Sequence, residues 1–336
     1  MYNFCTLFDT HYISRGLTLY HSLEKVCEDF HIYIFAFNDK CYSILKKLDL
    51  KRATIISLKE FEDEELLKIK PTRSIGEYCW TSTSSTILYV LEKYKVESCT
   101  YLDADLFFYS SPKPIFDELG NNSILLTEHR YSPEFIKSDF KKSGKYCVQF
   151  ITFKNDERGL KALRWWRERC LEWCFAYYED GKFGDQLYLE DWTERFEGVH
   201  VMQHLGGGLA GWNVQQYDFY KRDDKYFGRE KTSQKEFEVI FYHFHYLLFF
   251  TNGEIELGRR YLSPEVHNYF YKPYIRQLEK SKEIIKQIDN SFDSHGSGKK
   301  PLLWKTPLLY VYRHLKGTYN IFNKTKYLEK KNGISN

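Results

Sequence analysis

The first half of the chain alternates short apolar runs with segments whose apolar residues recur every three or four positions. Tyr2–Phe8 reads as a buried strand, and Arg15–Val26 as a helix with Leu19, Leu23 and Val26 along one stripe. His31–Phe37 and Thr54–Leu58 read as further strands. Thr81–Lys95 carries Ile87, Leu88, Leu91 and Tyr94 on one helical face, and the strand Cys99–Leu102 follows it. This β-α-β alternation predicts a mainly parallel sheet covered by helices. In open sheets of that kind, ligands bind beyond the carboxyl ends of the strands.

After Pro112 and Pro114 the rhythm changes. Ser123–Thr127 and Tyr146–Phe153 read as strands, separated by the polar excursion Glu128–Lys145. Glu157–Tyr178 reads as a long helix that buries Leu160, Leu163, Trp166, Cys170 and Trp173. The loop Glu179–Gln186 leads to a short strand, Val199–Met202, and to the glycines Gly206–Gly208. A strand over Phe237–Phe244 and a charged amphipathic helix over Pro264–Ile288 complete a body spanning 1–290. Asp289–Ser297 has the composition of a linker, so 291–336 reads as linker and tail.

Residues 298–336 hold nine Lys or Arg against one Glu. Leu302, Leu303, Trp304, Leu308, Leu309, Tyr310, Tyr312, Leu315, Tyr319 and Phe322 are interleaved with them. Such a segment suits peripheral contact with an anionic membrane. It equally suits a terminal helix packed on the body with a solvated basic face.

A hydrophobic fraction of 43% in 336 residues supports a sizeable core. The net charge of +3 is too small to argue for nucleic acid as a partner. The eight cysteines form no regular framework, and several fall inside apolar patterns, which predicts buried free thiols. The chain enters its first strand without a basic leader, and no apolar stretch approaches the ~20 residues that span a bilayer. Together these point to the cytoplasm, with the tail allowing a peripheral place at the inner face of the membrane.

The candidate chemistry centres on Tyr101-Leu102-Asp103-Ala104-Asp105-Leu106-Phe107-Phe108. Read as a strand end, it places Asp103 and Asp105 on one side. Two such carboxylates repel unless a cation or proton lies between them. A hard divalent ion such as Mn²⁺ or Mg²⁺ is the natural occupant. A solvated turn is the plainer alternative, but the apolar flanks set the pair at the rim of a core, where carboxylates need partners.

Four segments in order carry a resemblance: Thr6-Leu7-Phe8-Asp9-Thr10-His11-Tyr12; the acid pair after a helix; Phe183-Gly184-Asp185-Gln186; and Phe241-Tyr242-His243-Phe244. In these the chain resembles the GT-A class of nucleotide-sugar glycosyltransferases, and within it family eight and related bacterial proteins. The resemblance implies an α/β GT-A fold with 1–290 as catalytic domain. It also implies transfer of a sugar from a nucleoside-diphosphate sugar to a hydroxyl of a glycan or glycolipid, with retention, as in bacterial surface polysaccharide synthesis. It assigns Asp103, Asp105 and His243 to the metal, and Thr6, Leu7, Asp9, Tyr12, Asp103, Ala104 and Asp105 to the nucleotide. Asp185 and Gln186 would meet the transferred sugar.

Asp9 is also a candidate helix N-cap, Asp185 and Gln186 suit a turn, and His245 competes with His243. The family's Gly and Lys after this His are absent, the chain reading His243-Phe244-His245-Tyr246. The diphosphate would then fall to cations of the tail or to backbone N–H groups of Gly206–Gly208. Trp212 and Asn213 would help close the donor pocket. Glu128, His129 and Arg130, with the loop 131–145, would lie on the sugar or acceptor side. Two other readings remain open. One is a GT-A fold reduced to binding glycan or nucleotide; the other is a sugar nucleotidyltransferase, which would want a basic glycine-rich loop after the first strand.

Overall fold

The computed structural model describes residues 1–136, 143–300 and 306–329. Its centre is a seven-stranded sheet in the order β3-β2-β1-β4-β7-β6-β8. The strands are β1 Tyr2–Phe8, β2 Phe30–Ala36, β3 Ala53–Ser57, β4 Ser98–Leu102, β6 Ile124–Glu128, β7 Tyr146–Lys154 and β8 Val199–Val201. Neighbours run parallel except at β7, which is antiparallel to both β4 and β6. The mainly parallel α/β sheet expected from the sequence is therefore present.

Both faces of the sheet are covered, which is why its strands are continuous apolar runs. On one face Phe4, Ile32 and Ile34 pack with Leu17, Tyr20 and Leu23 of α1 (Ile13–Val26) and Ile44 of α2 (Asp39–Leu48). On the other, Cys5, Phe35, Ile151 and Phe153 pack with Ile87, Val90 and Leu91 and with Leu163 and Trp166. Those last residues belong to helices Ile75–Tyr94 and Glu157–Glu172. The first of these helices begins six residues before the expected Thr81, because Ser74 and Glu77 form a reciprocal capping box. The second ends at Glu172, where Trp173 turns extended, and not at Tyr178.

Smaller sheets complete the body. β5 Leu106–Phe108, β13 Phe241–His243 and β9 Leu209–Ala210 form one. β10 Tyr217–Arg222, β11 Lys225–Glu230 and β12 Glu236–Glu238 form another, and β14 Leu248–Phe249, β15 Glu254–Glu256 and β16 Ile321–Asn323 a third. The expected strand Phe237–Phe244 is thus divided between two sheets. The helical stretch from Pro264 passes through a π segment, His267–Tyr271, before continuing to Ile288. Pro273 follows that segment; proline lacks the N–H and crowds the preceding turn, which a wider turn relieves.

The segment expected as a linker packs inward: Ser294 and His295 are buried. Residues 321–323 pair with β15, and Tyr327 joins the core beside His267, their polar atoms 2.8 Å apart. Tail cations are taken up by carboxylates of the body, Lys300 by Glu254 at 2.8 Å and Arg313 by Glu256 at 3.0 Å. Leu302, Leu303 and Trp304, the first anchors expected for a membrane, lie outside the described residues. Helix Thr306–Leu315 exposes Leu308, Tyr310, Val311, Tyr312 and Leu315. Among the described residues no helix is long and apolar enough to cross a membrane. All eight cysteines are free, and seven are buried.

Candidate functional site

β4 ends at Leu102, so Asp103-Ala104-Asp105 is a tight turn into β5 rather than part of a strand. The two carboxylates converge because the chain reverses, not because strand residues alternate. Leu106 N–H closes the turn on Asp103 O at 3.2 Å, and Asp103 N–H is held by Gln149 O of β7 at 3.0 Å. β13 pairs antiparallel with β5 so that His243 stands opposite Leu106. Phe244 N–H donates to Asp105 O at 3.1 Å. This register delivers the imidazole: His243 Nε2 lies 3.0 Å from Asp105 Oδ1 and 3.5 Å from Asp103 Oδ2.

The three groups offer one ligand atom each within 4.8 Å of one another. His243 and Asp105 are nearly inaccessible, while Asp103 leaves 31% of its side chain open. Burial pushes the Asp103 carboxyl up to about 6, with His243 opposing and the Asp105 charge adding to the rise. Burial acts the same way on Asp105, but the His243 charge and hydrogen bond outweigh it and hold that carboxyl down at about 2. Burial disfavours the His243 cation, but the charge and hydrogen bond of Asp105, then a hydrogen bond with Cys147 and the charge of Asp103, outweigh it and raise the proton affinity of the imidazole. Two carboxylate oxygens and one imidazole nitrogen so close together could hold a metal ion.

A cavity of about 300 Å³ opens beside this group. Asp103 and His243 line one side of it; Gly184, Asp185 and Gln186 line another, with Trp80, Cys147, Trp212, Tyr246 and Arg260 between. Gly184 takes a positive φ of 54°, which other residues rarely adopt, and a Cβ there would only touch the Trp80 ring at 3.4 Å. That turn aims Asp185 inward, while its carbonyl is anchored by Trp166 Nε1 at 2.8 Å. Burial, and then the charge of Asp103, push the Asp185 carboxyl up to about 7. Gln186 Nε2 donates to Ser143 O at 2.5 Å. The structure therefore brings two segments singled out from sequence, the acid pair with its histidine and the Gly-Asp-Gln loop, onto one cavity.

The opening turn lies beyond the end of β1. Asp9 does not cap α1: its carboxylate accepts from His11 N–H at 2.8 Å and pairs with His11 Nδ1 at 3.0 Å. Tyr12 is 40% exposed, and the Arg15 guanidinium covers its ring at 4.4 Å. Arg15 itself is buried and donates to the carbonyls of Leu247 at 3.0 Å and His295 at 2.9 Å. Thr6, Leu7 and Ala104 are buried and do not line the cavity.

His245 lines the cavity but is exposed, and it is not among the three grouped donors. Gly206–Gly208 is packed against chain rather than open to an anion; a Cβ at Gly206 would sit 1.9 Å from Glu238 O. Trp212 meets His243 edge-on, with ring centroids 5.4 Å apart. Trp212 Nε1 and Asn213 Nδ2 both donate to His129 O at 2.9 Å. Of Glu128, His129 and Arg130, only His129 lines the cavity; Glu128 pairs with Lys145 at 2.8 Å, and Arg130 reaches the carbonyls of His204 and Gly207. The loop 131–145 expected on the acceptor side is described over 131–136 and 143–145, and 137–142 lie outside the described residues. Arg15, Trp80, Tyr246 and Arg260 escape sequence reasoning because only tertiary structure brings them here.

The sheet order, the single reversed strand β7 and the Asp-x-Asp turn after β4 define an α/β protein with a mainly parallel central sheet, in keeping with the GT-A architecture expected from the sequence resemblance. No protein-family model matches the chain. It is 33% identical over 302 residues to the uncharacterized protein YfnD of Bacillus subtilis (strain 168), an alignment covering 88% of this chain and 94% of that protein. It is 35% identical over 247 residues to the uncharacterized protein YfnF of the same organism, covering 72% and 80%. The chain belongs to the family of these two proteins.

Solved structures with related architecture include the glycosyltransferase GlyE of Streptococcus pneumoniae TIGR4, at TM-score 0.47 and 12% identity, covering 90% of this chain and 66% of that one. The bifunctional WbbM gives TM-score 0.47 at 12% identity, covering 85% and 51%. The galactosyltransferase LgtC, solved with donor and acceptor sugar analogues, gives 0.38 at 13%, covering 59% and 72%.

Proposed function

We propose that this protein is a metal-dependent glycosyltransferase that moves a sugar from a nucleoside-diphosphate sugar to a hydroxyl of a glycan or glycolipid. The observation that carries the reading is the opening of Asp103 and His243 onto the same cavity as Asp185 and Gln186. Asp103, Asp105 and His243 would hold Mn²⁺ or Mg²⁺, which offsets the charge that a diphosphate develops as it leaves.

The chain's own residues would supply the rest. Tyr12, backed by Arg15, offers a ring face to a base, and Asp9 a carboxylate to base or ribose. Arg260, on the cavity wall, is the cation best placed for phosphate in the absence of the family's Lys. Asp185 faces the space between cation site and Trp80, where it would accept from sugar hydroxyls, and Gln186 would lie beside the sugar's reacting carbon. Trp80 and Trp212 keep that space apolar enough to strengthen each polar contact. No second carboxylate pairs with Asp185 across the cavity among its described lining residues except Asp103, which suits a retaining path without a separate base. We place the reaction at the cytoplasmic face of the membrane, in surface polysaccharide assembly, with the exposed Leu and Tyr side chains of helix Thr306–Leu315 as the peripheral contact.

The test is thermal stability against UDP, GDP, CDP, TDP and their sugars, with and without Mn²⁺. A shift for one nucleotide that requires Mn²⁺ and disappears in Asp105→Asn is the expected result. No shift with any nucleotide would move the assignment to a fold that binds glycan alone.

A further inference from the structure

Trp173, Phe175, Tyr177 and Tyr178 lie on the loop that runs from helix Glu157–Glu172 into the Gly-Asp-Gln wall of the cavity. The loop is tied to itself and to the body. Glu179 and Lys182 exchange backbone hydrogen bonds of 3.0 and 2.8 Å, and Gly184 N–H donates to Phe175 O at 3.0 Å. Ala176 N–H donates to the Glu77 carboxylate at 2.9 Å, and Trp173 Nε1 to Glu179 at 2.8 Å. The rings of Trp173, Phe175 and Tyr177 lie mutually 5.3 to 5.6 Å apart, and Arg73 covers Phe175 at 4.0 Å. A surface loop with this many ties is held in one shape. Yet Tyr177 is 50% exposed and Tyr178 53%, so these rings are not spent on the core.

We propose that this loop is an acceptor platform, on which Tyr177 and Tyr178 stack against pyranose rings of an oligosaccharide whose end sugar enters the cavity beside Asp185. The inference rests on the transferase reading and names the class of acceptor. A pyranose presents a face of C–H groups and a rim of hydroxyls. Tyrosine meets that face with rigid, amphipathic area at little rotamer cost. Glu179 and Asp180 at the loop tip, with Glu77 beneath Ala176, outnumber Arg73 and Lys182 and leave a small excess of acid at the rim. An acidic rim repels anionic lipid headgroups and nucleic acid and accepts from hydroxyls. The platform is continuous with the cavity: Gly184 holds Phe175 by its backbone, and Phe183 packs on Trp80, with centroids 6.2 Å apart, where both line the cavity.

The experiment is saturation-transfer NMR of the full chain with two neutral pyranose chains, maltohexaose and chitohexaose, run beside the Mn²⁺-dependent nucleotide shift. Binding of at least one chain is expected. It should weaken about tenfold in Tyr177→Ala/Tyr178→Ala and persist in Tyr177→Phe/Tyr178→Phe, because ring stacking is the lost term. The nucleotide shift should be the same in all three proteins. Undiminished binding in the alanine variant, or no binding of either chain, overturns the platform while a retained nucleotide shift leaves the transferase reading standing. Sugar binding without any nucleotide shift overturns the transferase reading and the acceptor role with it. Binding to phosphatidylglycerol vesicles that the alanine variant loses overturns the platform in favour of a lipid surface.

Discussion

His243 Nε2 stands 3.0 Å from Asp105 Oδ1, because the β5–β13 register sets the imidazole opposite Leu106. Asp103 Oδ2, at 3.5 Å, is the next carboxylate oxygen facing the imidazole. In His243→Ala and in Asp105→Asn, Mn²⁺ affinity measured by electron paramagnetic resonance should fall by more than the ~10–100-fold that outer partners of a metal ligand are worth. Asp105→Asn should also lose about 1–3 kcal/mol of stability without metal, since the buried imidazole exchanges a carboxylate for a neutral amide oxygen and loses the charge that faces it. Equal Mn²⁺ affinity in wild type and variants would remove the metal from this site.

Arg15 links three distant segments: the Tyr12 ring, the Leu247 carbonyl that follows the cavity residue Tyr246, and the His295 carbonyl of the tail. Arg15→Met leaves both carbonyls without this donor, and a loss of about 1.5–3 kcal/mol is expected in urea unfolding. Tyr12 loses the cation beneath it as well. Nucleotide affinity should drop about threefold, the scale of one exposed cation–π contact, with Mn²⁺ affinity alone unchanged. A variant as stable as wild type would show that the two carbonyls find water instead.

Much of this architecture is legible along the chain. Tyr2–Phe8 is found where the apolar run places it, because a strand buried on both faces leaves an unbroken signal. The acid pair is legible too, although its geometry is not: strand alternation and a tight turn both bring Asp103 and Asp105 together. Helix Glu157–Glu172 stops short of the apolar pattern because Trp173 serves the aromatic loop rather than the helix stripe. α2 is signalled only by Asn38, whose side chain accepts from Cys41 N–H, since its apolar face is Cys41, Ile44 and Leu45 alone. Arg260 and Trp80 reach the cavity from segments with no motif, so only the folded chain shows them.

Gly16 is a helical glycine with a packing reason. A Cβ there would fall 2.1 Å from Phe8 Cε1, and Phe8 is fixed in the core. Alanine is worth about 1 kcal/mol more than glycine in a helix interior, but overpacking of this kind costs about 1–3 kcal/mol. Gly16→Ala should therefore lower the melting temperature. A raised melting temperature would mean that α1 can move off β1 freely.

Glu279 joins the tail to the body, accepting from His295 Nε2 at 2.9 Å and Lys324 Nζ at 2.7 Å, while His295 Nδ1 meets Ser14 Oγ at 2.9 Å. Burial alone would raise this carboxyl, but the hydrogen bonds from His295 and Lys324 prevail and hold it down at about 2. A carboxyl depressed on folding contributes stability in full above its ordinary value of about 4.3, and that contribution is lost as pH falls toward the folded value. Burial lowers the proton affinity of His295, with Glu279 opposing, so charging this imidazole also costs stability as pH falls from about 6.5. In Glu279→Gln the first loss disappears and the second grows, because the anion that eased the charging of His295 is gone. Urea midpoints from about pH 7 to about pH 2 should therefore fall more steeply than wild type between about 6.5 and 5 and less steeply below about 4. Parallel profiles for the two proteins would show that Glu279 is not tied to His295 and Lys324 in solution.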